Sequence, residues 1–145
     1  MMQLLFGTHY DWVGLILRIT VGGIMLPHGA QKLFGWFGGY GFSATMNFFT
    51  QSMKLPWIIS IAIILIELFG AIGLIIGFAS RIWALGLMAI MIGAICTTNM
   101  KNGFFMNWFG NQSGEGYEYH LLVIGICVAI LFVGGGKYSV DSLMK

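Results

Sequence analysis

Four long apolar runs divide this chain, joined by one very short connection and two long ones rich in glycine and aromatic residues. The runs fall at about residues 12–33, 57–78, 82–98 and 119–133. At about 20 residues per crossing of a hydrocarbon layer about 30 Å thick, each can span a bilayer, the last two only just. Four crossings put both termini on one face. The second and third runs are joined only by Gly77-Phe78-Ala79-Ser80-Arg81, which makes their helices antiparallel neighbours. Residues 36–56 and 99–118 then both lie on the opposite face.

The apolar pattern is broken most heavily in the first run, where Leu17 to Gly35 reads LRITVGGIMLPHGAQKLFG. Arg18 sits inside it, Gly22, Gly23 and Pro27 interrupt it, and His28, Gln31 and Lys32 crowd its far end. Proline at 27 cannot donate to the Gly23 carbonyl, so a kink and an acceptor in need of a partner are expected there. In lipid, that carbonyl and the guanidinium both require protein or trapped water. Such a helix reads as the wall of a site rather than as a plain anchor.

Glu67 breaks the second run near its middle, with no basic residue on its own helix. A charge at mid-bilayer costs about 3 kcal/mol or more unless it is paired or neutralised. Arg18 is the strong cation of a neighbouring run, so an Arg18–Glu67 ion pair is the simplest expectation. It would serve either to fix helix register or as a buried charge or proton relay. Counted from the short-turn face at about 1.5 Å per residue, Arg18 lies about 9 Å deep and Glu67 about 15 Å, which leaves room for a bridging water or polar group.

At the long-loop end, His28, Gln31, Lys32, Glu118 and His120 are expected to meet at similar depth, beside Trp108 and Tyr117 of the second loop. His28 and Lys32 share a helix face at i, i+4. A base, an acid and N–H donors against apolar walls suit the binding and protonation of a carbonyl or phenol oxygen. In that arrangement His28 and Lys32 bond the ligand oxygen and Glu118 positions them. Each residue alone reads equally well as a polar group marking a helix end. A haem b held axially by His28 and His120 is the minor alternative. No ligand spacing supports zinc or copper, so no metal site is expected.

The loops carry their own signals. In the first, Ser43 to Met53 reads as a short amphipathic helix, with Ser43 as N-cap and Met46, Phe49 and Met53 on one side. The second combines Phe104, Phe105, Trp108, Phe109 and Tyr117 with glycines and amides. Aromatic residues with one wet and one apolar side favour the membrane–water boundary, so both loops read as covers over the bundle ends. They form either an aromatic belt or a lid over a hydrophobic ligand.

Composition agrees with a membrane protein. Of 145 residues, 58% are hydrophobic and 8% charged, too apolar a balance for a soluble domain. The net charge of +2 is scattered and leaves no nucleic-acid footprint. The opening, MMQLLFGTHYDW, has neither a basic n-region nor a small-residue cleavage site, so no removable signal peptide is expected. Arg81, Lys137 and Lys145 on the terminal face balance Lys32, Lys54 and Lys101 on the other, and the short Arg-bearing turn favours cytoplasmic termini. Cys96 and Cys127 differ in depth and read as small core hydrophobes rather than a disulfide. Gly70, Gly73 and Gly77, with Gly86 and Gly93, offer smooth ridges for helix packing or for a homo-oligomer. The tail GGGKYSVDSLMK ends the last run as a short polar segment, and no strand precedes its glycines to make a nucleotide site.

Together these segments resemble one family. The start at Leu15 to Ile19, PHGAQKLFG at 27–35, FGGYGF at 37–42, the lone Glu67 followed by glycines, ASRIWAL at 79–85, KNGFF at 101–105, GYEYHLL at 116–122 and GGGKYSVD at 134–141 are similar to those of the DoxX family of bacterial membrane proteins. The resemblance runs from about residue 12 to 143 and implies an all-α, polytopic four-helix bundle forming one domain over residues 1–145. It also implies a redox association. Relatives include the membrane subunit of a thiosulfate:quinone oxidoreductase and proteins encoded beside quinone- and catechol-detoxifying enzymes. Another relative is described in a membrane complex with superoxide dismutase and a sulfurtransferase. On matching motifs, Arg18, His28, Gln31, Lys32, Glu67, Gly116, Tyr117 and Glu118 are the positions carried over. Asn99 departs from the pattern, standing where many members place a histidine before the NGFF motif.

The resulting expectation is a multi-pass protein of the bacterial cytoplasmic membrane that binds a quinone or small aromatic molecule between its helices. Glu67, Arg18 and His28 are the candidate catalytic groups. No side chain here carries an electron pair apart from the two separated cysteines, so a redox role requires a bound cofactor or a soluble redox partner. A non-catalytic scaffold for soluble redox enzymes and a proton-coupled exporter of phenols or quinones are the rival readings.

Overall fold

The computed structural model describes residues 6–144, and all regular structure among them is helical. The reading of the opening as lacking a signal peptide rests partly on residues 1–5, which lie outside the described residues, as does Lys145. Three helices are long and apolar enough to cross a membrane: α1 (Trp12–Phe34), α3 (Trp57–Ile76) and α4 (Ser80–Asn102). Between the first two lies a short α2 (Gly41–Asn47), and α5 (Glu118–Val133) is apolar but shorter, at 16 residues.

Local chemistry explains where the long helices begin and end. Asp11 opens α1 by accepting from the Gly14 N–H at 2.8 Å, and Gly35 closes it in the left-handed region at φ 74°. The helix runs on through Pro27. At the end of α3, the Phe78 N–H reaches the Gly73 carbonyl at 2.8 Å and the Gly77 N–H reaches Leu74 at 3.1 Å. This double closure requires φ 72° at Gly77 and reverses the chain directly into α4, which begins at Ser80 and takes Arg81 into its first turn.

α4 and α5 pack along much of their length, and α1 lies against α3 and α5. Their shared core contains Val21, Met25, Leu74, Leu87, Val123, Cys127 and Ile130. Gly70 and Gly73 do more than smooth a ridge: the Trp83 indole of α4 sits where a side chain on Gly73 would be. Cys127 belongs to this core, whereas Cys96 is exposed near the end of α4, contrary to the expectation that both would be buried.

The first long loop folds much as its pattern suggests, with a shifted start. α2 begins at Gly41 after Tyr40, so Ser43 lies within its first turn rather than capping it. It continues into a π turn, Phe48–Ser52, and its apolar side, Met46 and Phe49, packs on Ile64 of α3 with Met53 half-buried alongside. The tail after α5 is more ordered than a polar end. It turns back as a 3-10 helix, Val140–Leu143, against the α3–α4 turn, where the Asp141 N–H donates to the Gly77 carbonyl at 2.9 Å.

Candidate functional site

The two buried charges expected to pair do not meet. Arg18 is 1% exposed and turns towards the terminal end of the bundle. Its Nε donates to the Gly135 carbonyl at 2.8 Å, and its Nη atoms donate to Leu74 at 3.1 Å, Lys137 at 3.0 Å, Tyr138 at 2.9 Å and Ile75. A flat guanidinium with five N–H donors suits such a ring of acceptors, two of them carbonyls in the last turn of α3. Asp141 supplies the balancing negative charge nearby. Its two carboxylate oxygens accept from the Ala79 N–H at 2.7 Å and the Ser80 N–H at 2.9 Å, capping the start of α4. The depth mismatch between Arg18 and Glu67 is thus resolved by separate partners, not by a bridge.

Glu67 is instead paired with Lys32, whose Nζ stands 2.5 Å from Oε2. Two backbone features make the contact. Glu67 sits in a π turn, Ile66–Gly70, which interrupts the regular winding of α3; such turns recur at functional sites. Opposite it, α1 presents Gly29, where a Cβ would stand 2.6 Å from the Leu68 Cα. The two backbones therefore approach closely, and Lys32, three residues further along α1, extends across the gap to the carboxylate. The side chain of Glu67 is 6% exposed and that of Lys32 26%, so the pair turns its positive end outward.

Lys32 faces a cleft of about 530 Å³ between the end of α1 and α2. Gln31 and Lys32 line it from α1, Gly38, Gly39 and Tyr40 from the connection that follows, and Ala44, Thr45, Phe48 and Phe49 from α2 and its π turn. Gly39 packs on the Gln31 backbone so closely that no side chain fits there, and the Gln31 Nε2 donates to the Phe37 carbonyl at 3.2 Å. The cleft is thus lined by three aromatic side chains, small residues and amides or hydroxyls, with Lys32 its single charged group. Its α2 wall was absent from the sequence reading of the site, although Ala44, Thr45, Phe48 and Phe49 recur at helical spacing.

The other expected site residues do not join this cleft. His28 is exposed and near the Lys32–Glu67 pair but does not line the cleft, and its ring stands 6.4 Å from that of Tyr119. His120 lies edge-on to Tyr119 at 5.5 Å, and its buried Nδ1 meets no hydrogen-bond partner among the described residues. The Tyr119 hydroxyl contacts the Met25 sulfur at 3.5 Å, a link that sequence reasoning missed. Glu118 does not position His28 and Lys32. Its Oε1 accepts from the Met106 N–H at 2.9 Å and the Trp108 indole at 3.0 Å, folding the second loop over the start of α5. Tyr117 completes that fold, its N–H reaching the Gly103 and Phe104 carbonyls and its ring standing edge-on to Phe104 at 5.5 Å. Gly116 lies where any side chain would strike those same carbonyls. Asn99 also serves the loop, donating to Glu115 at 3.0 Å and Gly116 at 3.3 Å.

Comparison with known proteins agrees with the motif resemblance. The family model for DoxX matches residues 13–100. A Bacillus subtilis (strain 168) protein described as "Putative oxidoreductase CatD" is 34% identical over 116 residues, which is 80% of this chain and 76% of that protein. No solved structure matches.

Proposed function

The chain belongs to the DoxX family of helical membrane proteins, and on that premise we propose that it binds a quinone or a similar small aromatic molecule in the cleft between α1 and α2. One observation carries the reading: a cleft of about 530 Å³ lined by Tyr40, Phe48 and Phe49 also contains a lysine whose counter-charge is buried. Phe48 and Phe49 flank a planar ring. Lys32 has N–H donors beyond the one spent on Glu67, and the Thr45 hydroxyl is a further donor for a ring oxygen. The redox relative supports a role beside an oxidoreductase. No side chain lining the cleft carries electrons itself, so a redox role requires a bound cofactor or a soluble redox partner.

In this reading all four long helices cross the bacterial cytoplasmic membrane as one domain, with α5 the shortest. Lys32 lies within the bundle as the partner of Glu67, so it does not count as a loop charge. Arg81 and Lys137 then weigh against Lys54 and Lys101 among the described residues, and the tight Arg81 turn favours cytoplasmic termini.

Titration of the purified protein with a water-soluble quinone, read by tryptophan quenching, tests the proposal. Lys32→Met and Phe48→Ala should each weaken binding about tenfold or more, the loss of roughly 1.4 kcal/mol. Equal binding by both variants, or none by the wild type, rejects it.

A further inference from the structure

A helical hydroxyl shielded from water commonly folds back onto the carbonyl one turn earlier. Two do so here. The Ser60 hydroxyl donates to the Pro56 carbonyl at 3.1 Å, and that of Thr50, in the π turn that continues α2, donates to Met46 at 2.8 Å. Thr45, one turn before Thr50, departs from this pattern. It is 8% exposed, yet its hydroxyl meets no partner among the described residues, although the Gly41 carbonyl stands four residues back. A shielded polar group left unpaired calls for an explanation. The unpartnered Ser80 hydroxyl is sealed within the packing, whereas the Thr45 oxygen keeps some open surface and its residue lines the cleft. Thr45 therefore holds a hydrogen-bonding group in reserve at the place where a ligand would sit.

We infer that the Thr45 hydroxyl is the specificity-determining contact of the cleft, and that it lets the cleft hold both members of a quinone–hydroquinone couple. The inference rests on the aromatic-ligand reading above and adds the two forms that the site must accept. A quinone oxygen only accepts hydrogen bonds, whereas a hydroquinone O–H also has one to donate. The Lys32 ammonium offers donors alone. The Gln31 amide is committed at its nitrogen, which donates to the Phe37 carbonyl at 3.2 Å, so only its oxygen is left, as an acceptor. Tyr40 also bears a hydroxyl, but at 88% exposed it lies open to the surroundings. The Thr45 hydroxyl rotates about its C–O bond: it donates to a quinone carbonyl and accepts from a hydroquinone O–H. Among the side chains lining the cleft it is the buried group able to take either role. Binding in either form makes or breaks no covalent bond.

Because the hydroxyl serves no partner within the protein, its removal separates binding from folding. Thr45→Val keeps the shape of the side chain and loses the hydroxyl. Thr45→Ser keeps the hydroxyl and loses the methyl group. The two variants therefore distinguish a hydrogen bond from a packing contact.

The probes are duroquinone and its hydroquinone, titrated without oxygen against the purified protein and read by tryptophan quenching. Wild type should bind both forms with affinities within about tenfold of each other. Thr45→Val should weaken each about fivefold, the worth of one hydrogen bond, with an unchanged unfolding midpoint in the absence of ligand. Thr45→Ser should stay within about twofold of wild type for both. Wild-type affinity for both forms in Thr45→Val overturns the inference, as does loss in Thr45→Ser with retention in Thr45→Val, which would make the methyl group the contact. A wild-type preference for one form beyond about tenfold, or a loss in Thr45→Val confined to one form, also overturns it. So does a lowered midpoint in Thr45→Val, since the hydroxyl would then be serving the fold. In each of these cases the aromatic-ligand reading stands. If neither probe binds wild type, both fail.

Discussion

Arg18 gives the sharpest separation between a structural and a catalytic residue. Its guanidinium donates to five carbonyls, three of them in the tail after α5 and two at the end of α3. Arg18→Met would remove this donor from all five, although Leu74 keeps the Gly77 N–H, in a site where Arg18 itself is 1% exposed. Summing about 1–3 kcal/mol per orphaned acceptor overstates the loss, because the tail can move and admit water. Breaking a buried charged contact by removing one partner costs about 3–5 kcal/mol, and we take that range. At about 3 °C per kcal/mol for a chain of this size, the unfolding midpoint in detergent should fall by on the order of 10 °C. Arg18→Lys keeps the charge but reaches fewer acceptors, so it should recover less than half of the loss. Limited proteolysis should cut the segment 134–144 early in both variants. Quinone affinity, measured below the lowered midpoint, should stay within about twofold of wild type, since the cleft is at the other end of the bundle. An unchanged midpoint together with lost binding would return Arg18 to the site and refute this account.

Four other perturbations test the remaining geometry. In Gly29→Ala the new Cβ stands 2.6 Å from the Leu68 Cα, so α1 and α3 must separate, costing about 1–3 kcal/mol and weakening ligand binding as Lys32 draws away from Glu67. Gly23→Ala, with nothing within 4 Å of the added carbon, should be silent in the same melting and binding assays. Glu118→Ala removes the acceptor for the Met106 N–H and the Trp108 indole, at about 1–3 kcal/mol confined to the loop. It should accelerate proteolysis within residues 103–117 and shift tryptophan emission with helix content intact; normal cleavage would contradict the assigned role. A maleimide should label Cys96 in the folded protein and Cys127 only after denaturation, so rapid labelling of both would show the α5 packing to be wrong.

The helices were legible because lipid imposes a simple rule: a long apolar stretch closes its own backbone hydrogen bonds or does not enter. The amphipathic side of α2 was legible for a similar reason, since Met46, Phe49 and Met53 needed one surface to cover them. Pairing the charges was harder. Reading Arg18 against Glu67 considered only side chains as partners, whereas Arg18 is satisfied by backbone carbonyls, which every residue has and no residue type advertises. Depth arithmetic already hinted at the mismatch. Lys32 was placed with the helix-end polar groups because its Cα lies near the loop, and its long stem, which reaches back into the bundle, was not followed. Glu118 was misassigned because its partners sit in an irregular loop whose path no periodicity reveals. The cleft wall at Ala44, Thr45, Phe48 and Phe49 has a readable spacing, but it shares Phe49 with the side that covers α3, and periodicity does not separate the two.

The arginine clamp also sets an order of events during synthesis. The hydrogen-bonded partners of Arg18 at residues 135, 137 and 138 lie 117 to 120 positions further along the chain. Leu74 and Ile75 of α3 come 56 and 57 positions after Arg18, so three of its five acceptors are the last to be made. The clamp is complete only when the segment after α5 arrives, and a chain truncated before residue 135 should leave Arg18 with two of its five acceptors.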